Sequence, residues 1–189
     1  DDHAFQLIQR GDTEGLGVFH SDGLRSLLPR LCPVSIEGLS ATATVYTLAI
    51  KRGDLLEQYL QHGDEREFPG SENADILELL AETRGLILYQ EQVMMLLNRV
   101  GGICPADGFD FIKAVFKRKA ARVAKYRREF LRNAVGDKTD EETSGRLFDW
   151  ITEAAGYASC LCKANYVSEA MMIYQAAYLK AHHRSEFDR

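Results

Sequence analysis

The sequence has little of what would place it in a membrane, outside the cell or around a metal framework. No stretch of about 18 consecutive apolar residues occurs, the length that a spanning helix needs, so no membrane partner is expected. No basic-then-apolar leader opens the chain, and the expected compartment is the cytoplasm. The four cysteines, Cys32, Cys104, Cys160 and Cys162, form no Cys-x-x-Cys pair. In a reducing compartment they read as packed thiols. Cys160 and Cys162 with His182 and His183 are the one grouping that suggests a metal. A one-residue Cys spacing is unusual for structural zinc, so no metal site is assigned. With only four prolines and a single tryptophan, there is no proline-rich linker, and neither an internal repeat nor a low-complexity segment is visible. Alternation of apolar and polar residues, the mark of a half-buried strand, is missing throughout. No Ser-His-Asp or Cys-His arrangement offers a nucleophile.

What is present is helical periodicity. Hydrophobic residues make up 46% of the 189 residues, enough for a sizeable core. Ser21 and Ser35 stand as N-caps before apolar residues at helical spacing, as in Leu24, Leu27, Leu28 and Leu31. A helix from Asp54 is expected to stop at Gly63, and Pro69-Gly70 marks a turn. Val93, Leu96, Leu97 and Val100 share one face of a helix that Gly101-Gly102 ends. Pro105 opens another, where its missing N–H costs nothing. Further helices are expected to about Val135, from Asp140 to Ala158, and from Lys163 to His183. The expectation is a mainly α chain with little or no β-sheet, residues 1–189 forming one multi-helix domain with sub-lobes 1–100 and 103–189. Tyr89-Gln90-Glu91-Gln92, polar within an apolar frame, reads as a buried hydrogen-bonding network at a helix start. Trp150 reads as core.

The charge is unevenly placed. The chain carries a formal net charge of -5, with a pI near 5.6, which argues against affinity for polyanions over the whole surface. Yet Lys113 to Arg132 holds nine basic residues and one acid, leaving 14 basic and 27 acidic side chains for the rest. On a helix, Lys113, Lys117, Arg118, Arg122, Lys125 and Arg128 would lie along one broad side. A bland reading is a solvated face balanced by acids elsewhere in the fold. Against it, the run has almost no internal acids to form i,i+4 pairs. Lys117-Arg118-Lys119 also crowds three cations together, which phosphates would relieve.

Several strings occur in an order that resembles a known family: "GDTEGLGVFHSDGLRSLLPRL", "ETRGLILYQEQVMMLLNRVGG", "FIKAVFKRK" with "AKYRREF", and "YQAAYLKAHHRSEF". Together they resemble the fingers region of the bacterial DNA polymerase III alpha subunit, a C-family DNA polymerase, over nearly the whole chain. The resemblance implies a helical fingers-type domain. It also implies a piece of a longer polymerase whose palm, thumb and C-terminal domains are not in this sequence. In the family, catalysis is nucleotidyl transfer by Mg²⁺ ions on palm carboxylates. Those aspartates precede this segment, so no catalytic residue and no metal ligand is assigned here, and the segment alone is expected to be inactive. The family's fingers hold the phosphates of the incoming deoxynucleotide, which carries over to Lys113, Lys117, Arg118 and Lys163. Lys119, Arg122, Lys125 and Arg128 are expected on the DNA backbone.

The match has gaps. Against the family's Arg-Arg-Ala-Met-Gly-Lys-Lys, this chain reads Ile112 to Arg118, with Ile112 at an Arg position and Phe116 at the Gly. In the motif that reads like Gly-Tyr-Gly-Phe-Asn-Lys-Ser-His, here Gly156 to Asn165, Lys163 survives and Asn165 replaces the His. Each missing charge-assisted hydrogen bond is worth about 1.5–3 kcal/mol. Two polymerase-derived readings follow, besides a plain helical structural protein. One is the fingers portion of a DNA-directed DNA polymerase, acting in replication or repair on primer-template DNA and deoxynucleotide together with the rest of the polymerase chain. The other is a non-catalytic DNA-binding module derived from it, with a degenerate nucleotide site.

Overall fold

The computed structural model describes residues 1–50, 52–61, 68–134, 140–158 and 161–187. Among these the chain is built from helices and turns, with no strand. The helices are α1 (Asp2–Gln9), α2 (Asp22–Leu31), α3 (Ile36–Ala49), α4 (Gly53–Gln61), α5 (Ala74–Leu80), α6 (Gln90–Arg99), α7 (Pro105–Phe116), α8 (Ala120–Ala134), α9 (Glu141–Ala158), α10 (Lys163–His182) and α11 (Arg184–Phe187). The mainly α expectation holds. The expected stop at Gly63, the end near Val135 and Cys160 lie outside the described residues. No described helix is long and apolar enough to cross a membrane.

Side chains cap several of the helix starts. Ser35 Oγ accepts from the Gly38 amide at 3.0 Å, and Asn73 Oδ1 accepts from Asp75 at 2.9 Å. Asp140 does the same for α9 through the Thr143 amide at 2.8 Å and hydroxyl at 2.6 Å, which hold its carboxyl below the usual range. Ser21 occupies its expected cap position, but its hydroxyl makes no capping bond. At the start of α6 the expected buried network is present. Gln92 Oε1 accepts from the Leu88 and Tyr89 amides at 2.8 and 3.1 Å, and its Nε2 donates to Thr83 Oγ1 at 2.8 Å. Gln92 thus satisfies two amides left free where the extended chain enters the helix.

The chain divides into two units, Asp1–Gln61 with Lys163–Arg189, and His62–Cys162. The first is discontinuous, because α10 returns to pack on α3 and α1. Both helices bury small residues: Ser40, Ala41, Thr42, Ala43 and Thr44 on α3, and Ala170 and Ala177 on α10. Small side chains let two helix axes approach closely, which gains dispersion contacts in place of bulky packing.

In the second unit, α6, α7, α8 and α9 enclose an aromatic centre. Phe148 lies 5.5 Å from Phe111 and 5.3 Å from Phe130, ring centre to ring centre. Burying each ring stabilises the unit by about 1.5–3 kcal/mol. Trp150 joins this core only at its edge, half-buried and 5.4 Å from Phe68. Gly101-Gly102, expected between sub-lobes, lies inside this unit. A Cβ on Gly101 would collide with the Phe130 ring, so the glycine is there for the close approach of α8.

Candidate nucleic-acid interface

The basic run is not one helix. α7 ends at Phe116, Lys117 caps it, and Arg118 turns left-handed at φ 53° before α8 begins. The Arg118 amide donates to Val115 O at 2.9 Å and the Lys119 amide to Ala114 O at 2.8 Å. These two bonds form a Schellman closure, whose left-handed position glycine usually fills. The single broad helical face expected for the cations is therefore corrected: they sit at the end of α7, on a tight turn and along α8. Backbone geometry makes the change, because the left-handed residue redirects the chain and the side chains after it.

The turn exposes Lys117, Arg118 and Lys119 side by side, and none has a carboxylate partner among the described residues. Beyond it, α8 buries Tyr126, Phe130 and Ala134 and presents Lys125, Arg128 and Arg132 to solvent. Between the turn and Lys125 lie Ala121 and Ala124, both exposed. Low relief between charges lets a rod-shaped anion approach. Lys113, on the last turn of α7, places its ammonium 4.1 Å from the centre of the Phe109 ring.

Two cations are already neutralised. Arg122 Nε lies 2.9 Å from Asp110 Oδ2, and Arg127 pairs with Asp149. Asp110 also accepts from the Tyr126 hydroxyl at 2.8 Å. Burial first, and this bond to a carboxylate second, push the Tyr126 phenol up to about 12. The acids that balance part of the run thus come from α7 and α9 rather than from α8 itself. Ile112 is only 2% exposed and faces the core with Phe111 and Ala114. A cation there would point away from the surface, so the departure at Ile112 suits the packing of α7. Phe116, by contrast, is 61% exposed.

The proposed nucleotide and DNA residues are not all on one unit. Lys113, Lys117, Arg118, Lys119, Arg122, Lys125 and Arg128 belong to the second, while Lys163 opens α10 in the first, with exposed Asn165 just after it. The first unit pairs its charges tightly. Lys180, 2% exposed, reaches Asp12 Oδ1 at 2.8 Å and Glu14 O at 3.0 Å, and Arg184 Nη1 meets Asp12 Oδ2 at 2.8 Å. The Lys180 hydrogen bond, with help from Arg184, holds the Asp12 carboxyl below the usual range. No sequence motif pointed to Lys180, since a lysine on a helix reads as solvated.

Among the described residues, the one set of three metal-capable side chains that converge is Asp1, His3 and His182, all exposed, with ligand atoms within 4.8 Å. Two imidazoles and one carboxylate do not suit Mg²⁺, which takes oxygen donors in an octahedron. The residues present do not fit the family's metal ions.

Comparison with known proteins gives one answer. The profile of the bacterial DNA polymerase III alpha subunit finger domain matches residues 1–138. The DNA polymerase III subunit alpha of Aquifex aeolicus is 32% identical over 190 residues, which is 99% of this chain and 16% of that protein. Its counterpart in Bacillus subtilis is 31% identical over 97% of this chain, and that of Escherichia coli 28% over 99%. In both cases this is 16% of the relative's length, so the chain spans less than a fifth of these relatives. It belongs to the bacterial DNA polymerase III alpha subunit finger domain family.

Proposed function

We propose that this chain is the fingers portion of a DNA-directed DNA polymerase, and that the turn between α7 and α8 with the exposed face of α8 holds nucleic-acid phosphates. The observation that carries the reading is Lys117-Arg118-Lys119: three exposed cations without acidic partners among the described residues, in a protein with a net charge of -5. Cations kept together in this way repel one another, and a phosphate backbone removes that repulsion with release of its counterions. Lys119, Lys125 and Arg128 suit the DNA backbone, and Lys113, Lys117 and Arg118 the triphosphate of the incoming nucleotide; Lys163, on the first unit, is carried over from the family resemblance alone. Arg122 is a weaker contributor, because Asp110 already holds it. The Mg²⁺ ions of the reaction would be held by carboxylates of another polymerase domain, and the segment alone would not catalyse transfer.

A second reading, a DNA-binding module with a degenerate nucleotide site, draws on exposed Phe116, where the family has glycine, and on Asn165, where it has histidine. The test is a fluorescence-anisotropy titration of primer-template DNA at low and moderate salt, with and without deoxynucleotide and Mg²⁺. The expected result is salt-sensitive binding that falls at least tenfold when Lys117, Arg118 and Lys119 become Ala. Tightening by nucleotide favours the polymerase reading. Binding that ignores nucleotide favours the degenerate module, and equal binding by wild type and variant overturns both.

A further inference from the structure

α7 carries an aromatic stripe that the phosphate reading does not use. Phe109 and Phe116 lie seven residues apart on one helical face, with Lys113 between them at the i+4 position of Phe109. Both rings are open to solvent, 42% and 61% exposed, in a unit that buries Phe111, Phe130 and Phe148 completely. The face bears no acid. The neighbouring carboxylate, Asp110, is turned to Arg122 and Tyr126. Lys113 lies over the Phe109 ring at 4.1 Å, and the stripe runs directly into Lys117-Arg118-Lys119.

We propose that Phe109 and Phe116 form a stacking platform for unpaired nucleobases of a DNA single strand. The proposal rests on the phosphate-binding reading above, which supplies the contacts for that strand's backbone. Exposed rings interleaved with cations are the arrangement that single-strand binders use: bases stack on ring faces, and the cations track the phosphates. The spacing fits. Seven residues advance about 10.5 Å along a helix at 1.5 Å per residue. Stacked bases advance about 3.4 Å each along a strand. The two rings therefore span about three base steps, so each would receive its own base. A protein-docking patch would instead gather contiguous apolar side chains. Here the residue between the rings is a lysine without a carboxylate partner among the described residues.

The test uses the chain with two DNAs, a blunt duplex and the same duplex bearing a single-stranded overhang that contains 2-aminopurine, whose fluorescence is quenched by stacking. The variants are Phe109→Leu and Phe116→Leu, which keep apolar bulk and remove the ring, with Phe116→Trp as the rescue. Each Leu change is expected to weaken binding of the overhang DNA about fivefold or more, and to leave blunt-duplex affinity and its salt dependence unchanged. The 2-aminopurine quenching should disappear with Leu and persist with Trp. Leu variants that bind the overhang like wild type, or that weaken equally on both DNAs, overturn the platform and favour a packing or protein-docking role for the rings. In that case, a separate failure to bind both DNAs in the variant with Lys117, Arg118 and Lys119 changed to Ala would leave the phosphate reading standing. A wild-type chain that binds neither DNA overturns both.

Discussion

Lys180 and the Lys117-Arg118-Lys119 turn are two solutions to the same problem, where to put positive charge in an acidic protein. Lys180 is buried in the first unit, with Asp12 and the Glu14 carbonyl within 3.0 Å. The turn in the second unit leaves three cations in water with no acid beside them among the described residues. A buried ammonium is tolerated only when paired, and its partner is then part of the fold. An exposed cation costs little, and is free to meet an outside anion. The sharpest way to break this contrast is Asp12→Ala, which leaves Lys180 buried without a carboxylate. A loss of about 3–5 kcal/mol in urea unfolding is expected. The double change Asp12→Leu with Lys180→Met should recover most of it, since a well-packed apolar pair removes both desolvation costs. A loss under about 1 kcal/mol for Asp12→Ala, the range of a surface pair, would mean that the Glu14 carbonyl and solvent already satisfy Lys180, and the contrast would fail.

Acid offers a milder version of the same test. The Asp12 carboxyl is depressed in the folded state, below its ordinary value of 3.8. A depressed carboxylate contributes stability that is fully present above its unfolded value and is lost as pH falls through the folded one. Stability should therefore hold from neutrality to about pH 4 and decline below it. The acid limb should flatten in the Asp12→Leu, Lys180→Met double variant. Changing Lys117, Arg118 and Lys119 to Ala should leave both the acid limb and the stability within about 0.5 kcal/mol of wild type. That triple variant should lower the salt slope of DNA binding by about 0.9 for each duplex phosphate no longer neutralised by a cation. A triple variant that unfolds more readily would place the turn with Lys180 as a structural feature.

The two sites were unequally legible in the sequence. A helix start could be read where the capping residue lies within three positions of its target, as at Ser35. Gln92 was legible for the same reason. The clustering of cations was visible as composition, but their pairing was not. Asp149 reaches Arg127 across 22 residues, and Asp110 reaches Arg122 from the preceding helix. Lys180 and Asp12 are farther apart still, joined only because α10 returns to the first unit. Periodicity reports which face of a helix is apolar. It does not report which other helix will cover it.

The break at Arg118 was hidden for a local reason, and it gives a further small effect. Helix ends with a left-handed residue usually announce themselves by glycine, and here the position holds an arginine at φ 53°. A side chain in this region costs about 1 kcal/mol through contact of its Cβ with the following carbonyl. The Schellman bonds to Val115 O and Ala114 O oppose that cost without removing it. Arg118→Gly should keep the same turn and raise stability by up to about 1 kcal/mol, read as a higher urea midpoint at constant slope. It should also weaken DNA binding, since one cation of the three is gone. Stability and binding moving in opposite directions would mean that the strained arginine is kept for its charge. If stability falls instead, the guanidinium supports the turn itself, and the basic turn resembles Lys180 more than it differs from it.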